Sequence, residues 1–232
     1  MIESFATSLS LFTQLDGIAF TTLFLGWFLI GFLIDRNGKR RSTHALISDF
    51  RSRWMIEMVG RENRVADIQI LSSLRQGTAF FMSASMIGIG GTLALLGSAD
   101  TLEQVATEVS PELSAPQLVW EIKLIVVAMI LVSAFLKFVW SHRLFGYCAV
   151  VLGSVPNDKN HPDALGFAAK AAKLNTYAAR SFNRGLRAVY FAMAALTWLL
   201  GSIPLIVAVT VTLAVLYRRE FHSLSRAALL AD

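Results

Sequence analysis

The chain has 232 residues, of which 55% are hydrophobic and only 16% charged, with a mean hydropathy of +0.56 and a formal net charge of +5. A soluble domain of this size carries about 25% charged residues, and here the deficit is concentrated in long apolar runs. That excludes an ordinary soluble globule, and because the basic residues sit beside those runs it argues against nucleic acid as a partner and for the lipid bilayer.

The first apolar run is Gly17–Ile34. Eighteen residues rising about 1.5 Å each reach about 27 Å, close to the thickness of the hydrocarbon layer. The residues before it hold Glu3 and Asp16 but no Lys or Arg, so no cleavable signal is expected and the run itself directs insertion. It stops at Asp35-Arg36-Asn37-Gly38-Lys39-Arg40-Arg41.

An amphipathic region follows over residues 42–76. Leu46, Phe50, Trp54 and Met58 recur every four residues with Ile47 beside them, and Asp49, Arg53 and Glu57 fall opposite. Such a helix either lies in the headgroup zone or packs against neighbouring protein. Gly60 breaks it, and a second helix over Arg61–Gln76 is expected to run into the next crossing. Within this region Arg64 and Asp67, three apart, and Arg53 and Glu57, four apart, can pair on a helix. Arg51, Arg53 and Trp54 are candidates for an anion or lipid-headgroup site. The competing reading is a solvated ion-pair face.

The second run, residues 77–98, holds two rows of small residues at four-residue spacing: Ala84, Gly88 and Thr92, then Gly90, Ala94 and Ser98. With Gly91 they mark a helix that neighbours approach closely, within the bundle or across a subunit interface. A homo-oligomer is therefore expected, and a different membrane protein is a further possible partner. The third crossing spans 121–140, and its apolar character continues through Val155. Lys137, Trp140 and Arg143 fall on one face of it. An intramembrane lysine costs about 2.5–3.5 kcal/mol at a helix centre. Either Lys137 snorkels to the boundary, or the face points inward as a polar pathway or buried ion pair, with Glu62, Arg64 or Asp67 entering from the second helix. Cys148 lies in an apolar context and reads as a packing residue.

The last apolar region, Ala188–Tyr217, is too long for one crossing and short for two. Charge decides between the two. Residues 35–76 carry nine Lys/Arg against five acids, residues 99–122 five acids and no base, and residues 141–187 seven bases against two acids. The positive-inside rule places the first and third stretches in the cytoplasm and the second outside. Arg218, Arg219 and Arg226 draw the tail to the cytoplasm, which needs a fifth crossing. Gly201-Ser202-Ile203-Pro204 supplies the turn. The expected fold is an all-α integral membrane helical bundle with crossings at 17–34, 77–98, 121–140, 187–201 and 203–217 and a basic cytoplasmic helical layer. Four crossings with a kinked last helix are the alternative. The expected location is the bacterial inner (cytoplasmic) membrane, N-terminus outside and C-terminus cytoplasmic.

Nucleotide, protease and zincin motifs are absent, and no two of His44, His142, His161 and His222 stand at ligand spacing. No catalytic residue, metal or cofactor is expected. His142 and His222 fall at the same ends of their crossings, which permits a shared ligand in principle.

Six segments together carry a resemblance: Arg61-Glu62-Asn63-Arg64-Val65-Ala66-Asp67, Phe80-Phe81-Met82-Ser83, Lys137-Phe138-Val139-Trp140-Ser141-His142-Arg143, Tyr147-Cys148, Arg184-Gly185-Leu186-Arg187-Ala188-Val189-Tyr190-Phe191-Ala192 and Tyr217-Arg218-Arg219-Glu220-Phe221. The chain, over residues 15 to 225, resembles the domain-of-unknown-function family numbered 599. The resemblance implies a multi-pass membrane protein without an assigned activity, and transfers no catalytic residue or ligand. Two function classes follow. A channel or transporter for an ion or small anionic solute would show charged residues facing a wet axis. A membrane scaffold or accessory subunit would bury its charges in ion pairs and expose a small-residue face.

Overall fold

In the computed structural model, residues 12–36, 38, 40–101, 104, 108 and 115–231 are described, and among them every regular element is helical. In chain order the elements are α1 (Gln14–Asp35), α2 (Thr43–Val59), α3 (Val65–Leu96), α4 (Gln117–Gly153), α5 (Ala164–Leu196), a 3₁₀ turn (Thr197–Leu200), α6 (Ser202–Phe221) and α7 (Leu224–Leu230). Four stretches are long and apolar enough to cross a membrane: Gln14–Asp35, Val65–Leu96, Gln117–Gly153 and Ser202–Leu230. Their outer surfaces carry Phe28, Phe32, Phe80, Ile87, Met129, Leu136 and Val207, all exposed. Water would not tolerate so much contiguous apolar surface, whereas hydrocarbon does. The chain is a multi-pass membrane protein.

The helices divide into two compact units. The first comprises the segment ending at Phe32, Ser85–Ser133 and Arg187–Leu216; the second comprises Leu33–Ala84, Ala134–Leu186 and the residues from Tyr217 on. Of the twenty-one Lys and Arg residues only Lys123 and Arg187 fall in the first unit's segments, so nineteen belong to the second.

In the first unit α1 runs between the ends of α5 and α6. The Trp27 ring sits 6.3 Å from Phe191 and the Phe20 ring 6.0 Å from Trp198, so the chain rises along one helix as it falls along the other. Asp16 bonds Ser202, and Gly26 faces Val209 and Leu213, so α1 and α6 run in the same direction. It follows that α5 and α6 are antiparallel. Gly201 makes the reversal with φ +117°, a left-handed backbone that glycine adopts without a Cβ penalty. Pro204 lies in the first turn of α6, where its missing N–H goes unneeded. The expected helix break at Gly201–Pro204 therefore exists.

The second unit is held by α4 packed antiparallel on α5. Ser141 Oγ donates to Ala178 O (2.7 Å), Ser181 Oγ to Lys137 O (2.8 Å) and Cys148 Sγ to Ala171 O (3.4 Å). Each residue gained on α4 is lost on α5. Phe138 stacks with Phe81 at 5.6 Å and meets Phe182 at 5.5 Å. The alanines of α5 (Ala164, Ala168, Ala171, Ala172, Ala178 and Ala179) supply the buried side. Ser42, fully buried, joins α1 to α2: its Oγ accepts from Ala45 N–H to cap α2 and donates to Ile34 O in the last turn of α1.

The helix after Gly60 runs into the second crossing as expected, α3 being unbroken from Val65 to Leu96, although it starts at Val65 rather than Arg61. One expected detail differs. The buried stripe of α2 is Leu46, Met55, Met58 and Val59, while Phe50 is exposed. The four-residue stripe Leu46–Phe50–Trp54–Met58 drifts about 40° per step on a helix of 3.6 residues per turn, so its members cannot all stay on one contact.

Candidate functional site

Among the described residues each unit buries a cluster of polar side chains around an aspartate. In the first unit Asp16 opens α1 and is saturated. Its Oδ1 accepts from Trp198 Nε1 (2.7 Å) and Ser202 Oγ (2.6 Å), and its Oδ2 from Thr13 Oγ1 (2.7 Å) and Thr13 N–H (3.1 Å). Lys123, also buried, donates to Trp198 O at 3.1 Å, with its ammonium 5.7 Å from the centres of both the Trp120 and Trp198 rings. These contacts fasten the starts of α1, α4 and α6 to the turn before Gly201. The sequence shows Asp16 only as an acid preceding an apolar run; the signal that could have found the cluster is the expense of an ionisable group at a helix end bordering hydrocarbon.

In the second unit Asp67 begins α3 with none of its side chain exposed. Its Oδ1 accepts from Trp54 Nε1 at 2.6 Å and from Arg61. Arg64 turns the other way, donating through both terminal nitrogens to Val155 O and Pro156 O, each at 2.7 Å. A forked cation on two loop carbonyls just past the C-terminus of α4 also sits at the negative end of that helix's dipole, where a positive charge is favourable. Arg184 Nε closes a further ion pair on Asp35 Oδ2 at 2.7 Å.

The sequence candidates are distributed differently from expectation. The proposed Arg64–Asp67 pair does not form, since Arg61 takes the carboxylate and Arg64 the carbonyls. Glu62 is exposed. Trp140 and Arg143 do not line an inward face, while Lys137, next to the buried Phe138, is partly buried. Trp140 is 51% exposed, and Arg143 is exposed, bonding Tyr147 OH one turn along its own helix at 2.9 Å. The buried seam of α4 is Ala134, Phe138, Ser141, Phe145 and Cys148. Small and aromatic groups there mesh with the alanines of α5, leaving Arg143 on the exposed side. Asp67 is thus no partner for Lys137, because both hydrogen bonds it accepts come from Trp54 and Arg61.

The headgroup candidates also separate. Arg53 is exposed, Trp54 is committed to Asp67, and Arg51 turns inward, donating to Asn175 Oδ1. Of the small-residue rows, Gly88 and Thr92 face inward: a Cβ at Gly88 would lie 3.4 Å from Leu131 Cδ1, and Thr92 is buried. Ala84 is exposed, and so are Gly90, Gly91, Ala94 and Ser98, with open space around Gly90 and Gly91. Among the described residues no group of three or more His, Cys, Asp or Glu gathers as a metal site, and the His222 ring lies tilted against Tyr217 at 5.3 Å.

None of these arrangements pairs a nucleophile with a base. Cys148 is fully buried, accepting from Asn175 Nδ2 at 3.8 Å. Asp16 is closed by tryptophan, serine and threonine donors, and Asp67 takes Trp54 and Arg61 on Oδ1 while its Oδ2 is buried without a partner.

No curated protein and no solved structure matches the chain. A family model described as "Protein of unknown function, DUF599" matches residues 18–225. The match spans all the elements described above except the first turn of α1 and all but the first two residues of α7, and this multi-pass membrane protein belongs to that family.

Proposed function

We propose that the protein is a non-catalytic membrane component that assembles with a second copy of itself through the open side of α3. One contrast carries the reading. The buried carboxylates Asp16 and Asp67 are already bonded within the chain, while the row Gly90, Gly91, Ala94 and Ser98 lies exposed with nothing against its glycines. A small-residue row lets two helix backbones approach closely, and the same row on two copies suits a self-complementary two-fold interface. In this reading the copies sit in the bacterial inner membrane, N-terminus outside and C-terminus cytoplasmic. The apolar end of α5 is the fourth of five crossings, supported by its antiparallel course beside α6 and by the gathering of cations in the second unit.

Mass measured by light scattering in mild detergent tests the assembly. Two copies are expected for the parent chain and one for Gly91→Leu. Gly88→Leu, which meets the chain's own Leu131, should lower stability instead. A parent chain of one-copy mass would overturn the reading, as would a Gly91→Leu protein of unchanged mass.

A second reading, passage of an ion or small anionic solute, is favoured by buried Lys123 between two tryptophan rings in the first unit. It requires that liposomes carrying the protein pass anions and that Lys123→Met change that flux without loss of fold. Liposomes no leakier than empty ones would end it.

A further inference from the structure

A cavity of about 230 Å³ opens in the second unit where the start of α2, the middle of α5 and the end of α6 come together. Arg51, Arg219 and His44 line it, with Asn183, Thr43 and Ser223 between them. We propose that this cavity binds a phosphate-type oxyanion, with Arg51 as the principal cation.

Arg51 carries the argument. It is partly buried, and its one hydrogen bond within the chain goes to the neutral amide oxygen of Asn175. No carboxylate pairs with it among the described residues. Burial pushes its guanidinium below the ordinary arginine value, as expected of a charge removed from water without a counter-charge. Lys123, the other buried cation described above, has the Asp16 carboxylate near enough to act on its charge, whereas no carboxylate does so for Arg51. Buried cations persist where something compensates them, and a planar guanidinium with free N–H groups fits the oxygens of a phosphate.

The surroundings suit the same ligand. Thr43 and Ser223 add hydroxyls, His44 adds an imidazole bonded to Asn183 Nδ2 at 2.8 Å, and Arg219 adds a second cation. Glu220, the acid that also lines the cavity, accepts the His44 backbone N–H through Oε2 at 3.2 Å. The volume lies below that of drug-sized pockets, about 300–1,000 Å³, so a small phosphate or a single headgroup fits and a nucleotide does not. The site is independent of the assembly face on α3, which belongs to the other unit.

Free phosphate and a lipid phosphodiester share this chemistry, and the experiment has an arm for each. The full chain, purified in neutral detergent, is titrated with inorganic phosphate at fixed ionic strength, binding being read by calorimetry. In parallel it is held in nanodiscs of phosphatidylglycerol or of phosphatidylcholine, and retained lipid is read by native mass spectrometry. Losing one charge-assisted contact should weaken binding about ten-fold or more in Arg51→Met and in Arg219→Gln, with Arg53→Met on the exposed side unchanged. Saturable phosphate binding with that pattern supports a soluble anion. Selective retention of phosphatidylglycerol, lost in the same two variants, supports a lipid headgroup. If Arg51→Met fails to fold, Arg219→Gln alone decides. Absence of both signals in the parent chain, or equal signals in Arg219→Gln, overturns the proposal.

Discussion

Replacing Gly185 by alanine is the most discriminating test of the packing between α4 and α5. A Cβ added at Gly185 would lie 2.6 Å from Phe138 Cε1 and 2.9 Å from Cδ1 and Cζ, whereas carbon atoms pack at about 3.5–4.0 Å. The overlap is therefore about 1 Å. The Phe138 ring has little freedom to yield, being fully buried with Phe81 and Phe182 on it. Overpacking of this kind costs about 1–3 kcal/mol. An overlap of that size against an aromatic ring held by two others belongs to the upper part of that range, and alanine recovers up to about 1 kcal/mol over glycine within a helix, so the net expectation is a loss of about 1–2 kcal/mol. Unfolding in mixed micelles with increasing dodecyl sulfate, followed by tryptophan fluorescence, would measure it. In a Phe138→Leu background the same change should cost little or stabilise, because the clashing ring is gone. Gly146→Ala, with open space at its Cβ, is the control and should stabilise by up to about 1 kcal/mol. A Gly185→Ala protein as stable as the parent would refute the close approach of these helices.

Asp16→Leu should destabilise by about 3–5 kcal/mol, since it strands the Trp198 and Ser202 donors and leaves buried Lys123 without its nearby acid; the same micelle titration reads it, and a loss under 1 kcal/mol would detach the cluster from the fold. Arg64→Met should cost about 1–3 kcal/mol by uncovering the Val155 and Pro156 carbonyls, whereas Arg53→Met should stay within about 0.5 kcal/mol. For topology, single cysteines at Phe5 and Ala228 in a Cys148→Ser background should label with an impermeant reagent from outside and from the cytoplasm respectively. Labelling of both from the same side would replace five crossings by four.

The segments that span the bilayer were legible because length and lack of charge are properties of a run. The break at Gly201 was legible because glycine and proline adjoin there. The facing of α4 was not. Lipid on one side and α5 on the other are both apolar, so the helix is hydrophobic all round and no periodicity separates Phe138 from Leu136. Lys137 and Arg143 drew the inward assignment by charge, and packing leaves Arg143 and Trp140 exposed. The first half of α5 was passed over as a basic stretch, though alanines at 164, 168, 171, 172, 178 and 179 against Lys170, Lys173 and Arg184 trace one buried and one exposed side. Asp16 with Trp198 and Ser202, and Arg51 with Asn175, are pairings over 124 to 186 residues. No local pattern announces such contacts.

The claim that two copies meet along α3 is tested most directly by disulfide trapping in native membranes. Cysteine is placed singly at Gly91 in the Cys148→Ser background, with Ala134, buried against the chain's own helices, as the control position. Oxidation is expected to yield a two-copy band for Gly91→Cys and none for Ala134→Cys. A Gly91→Cys protein that stays at one-copy mass under the same oxidation would contradict the account.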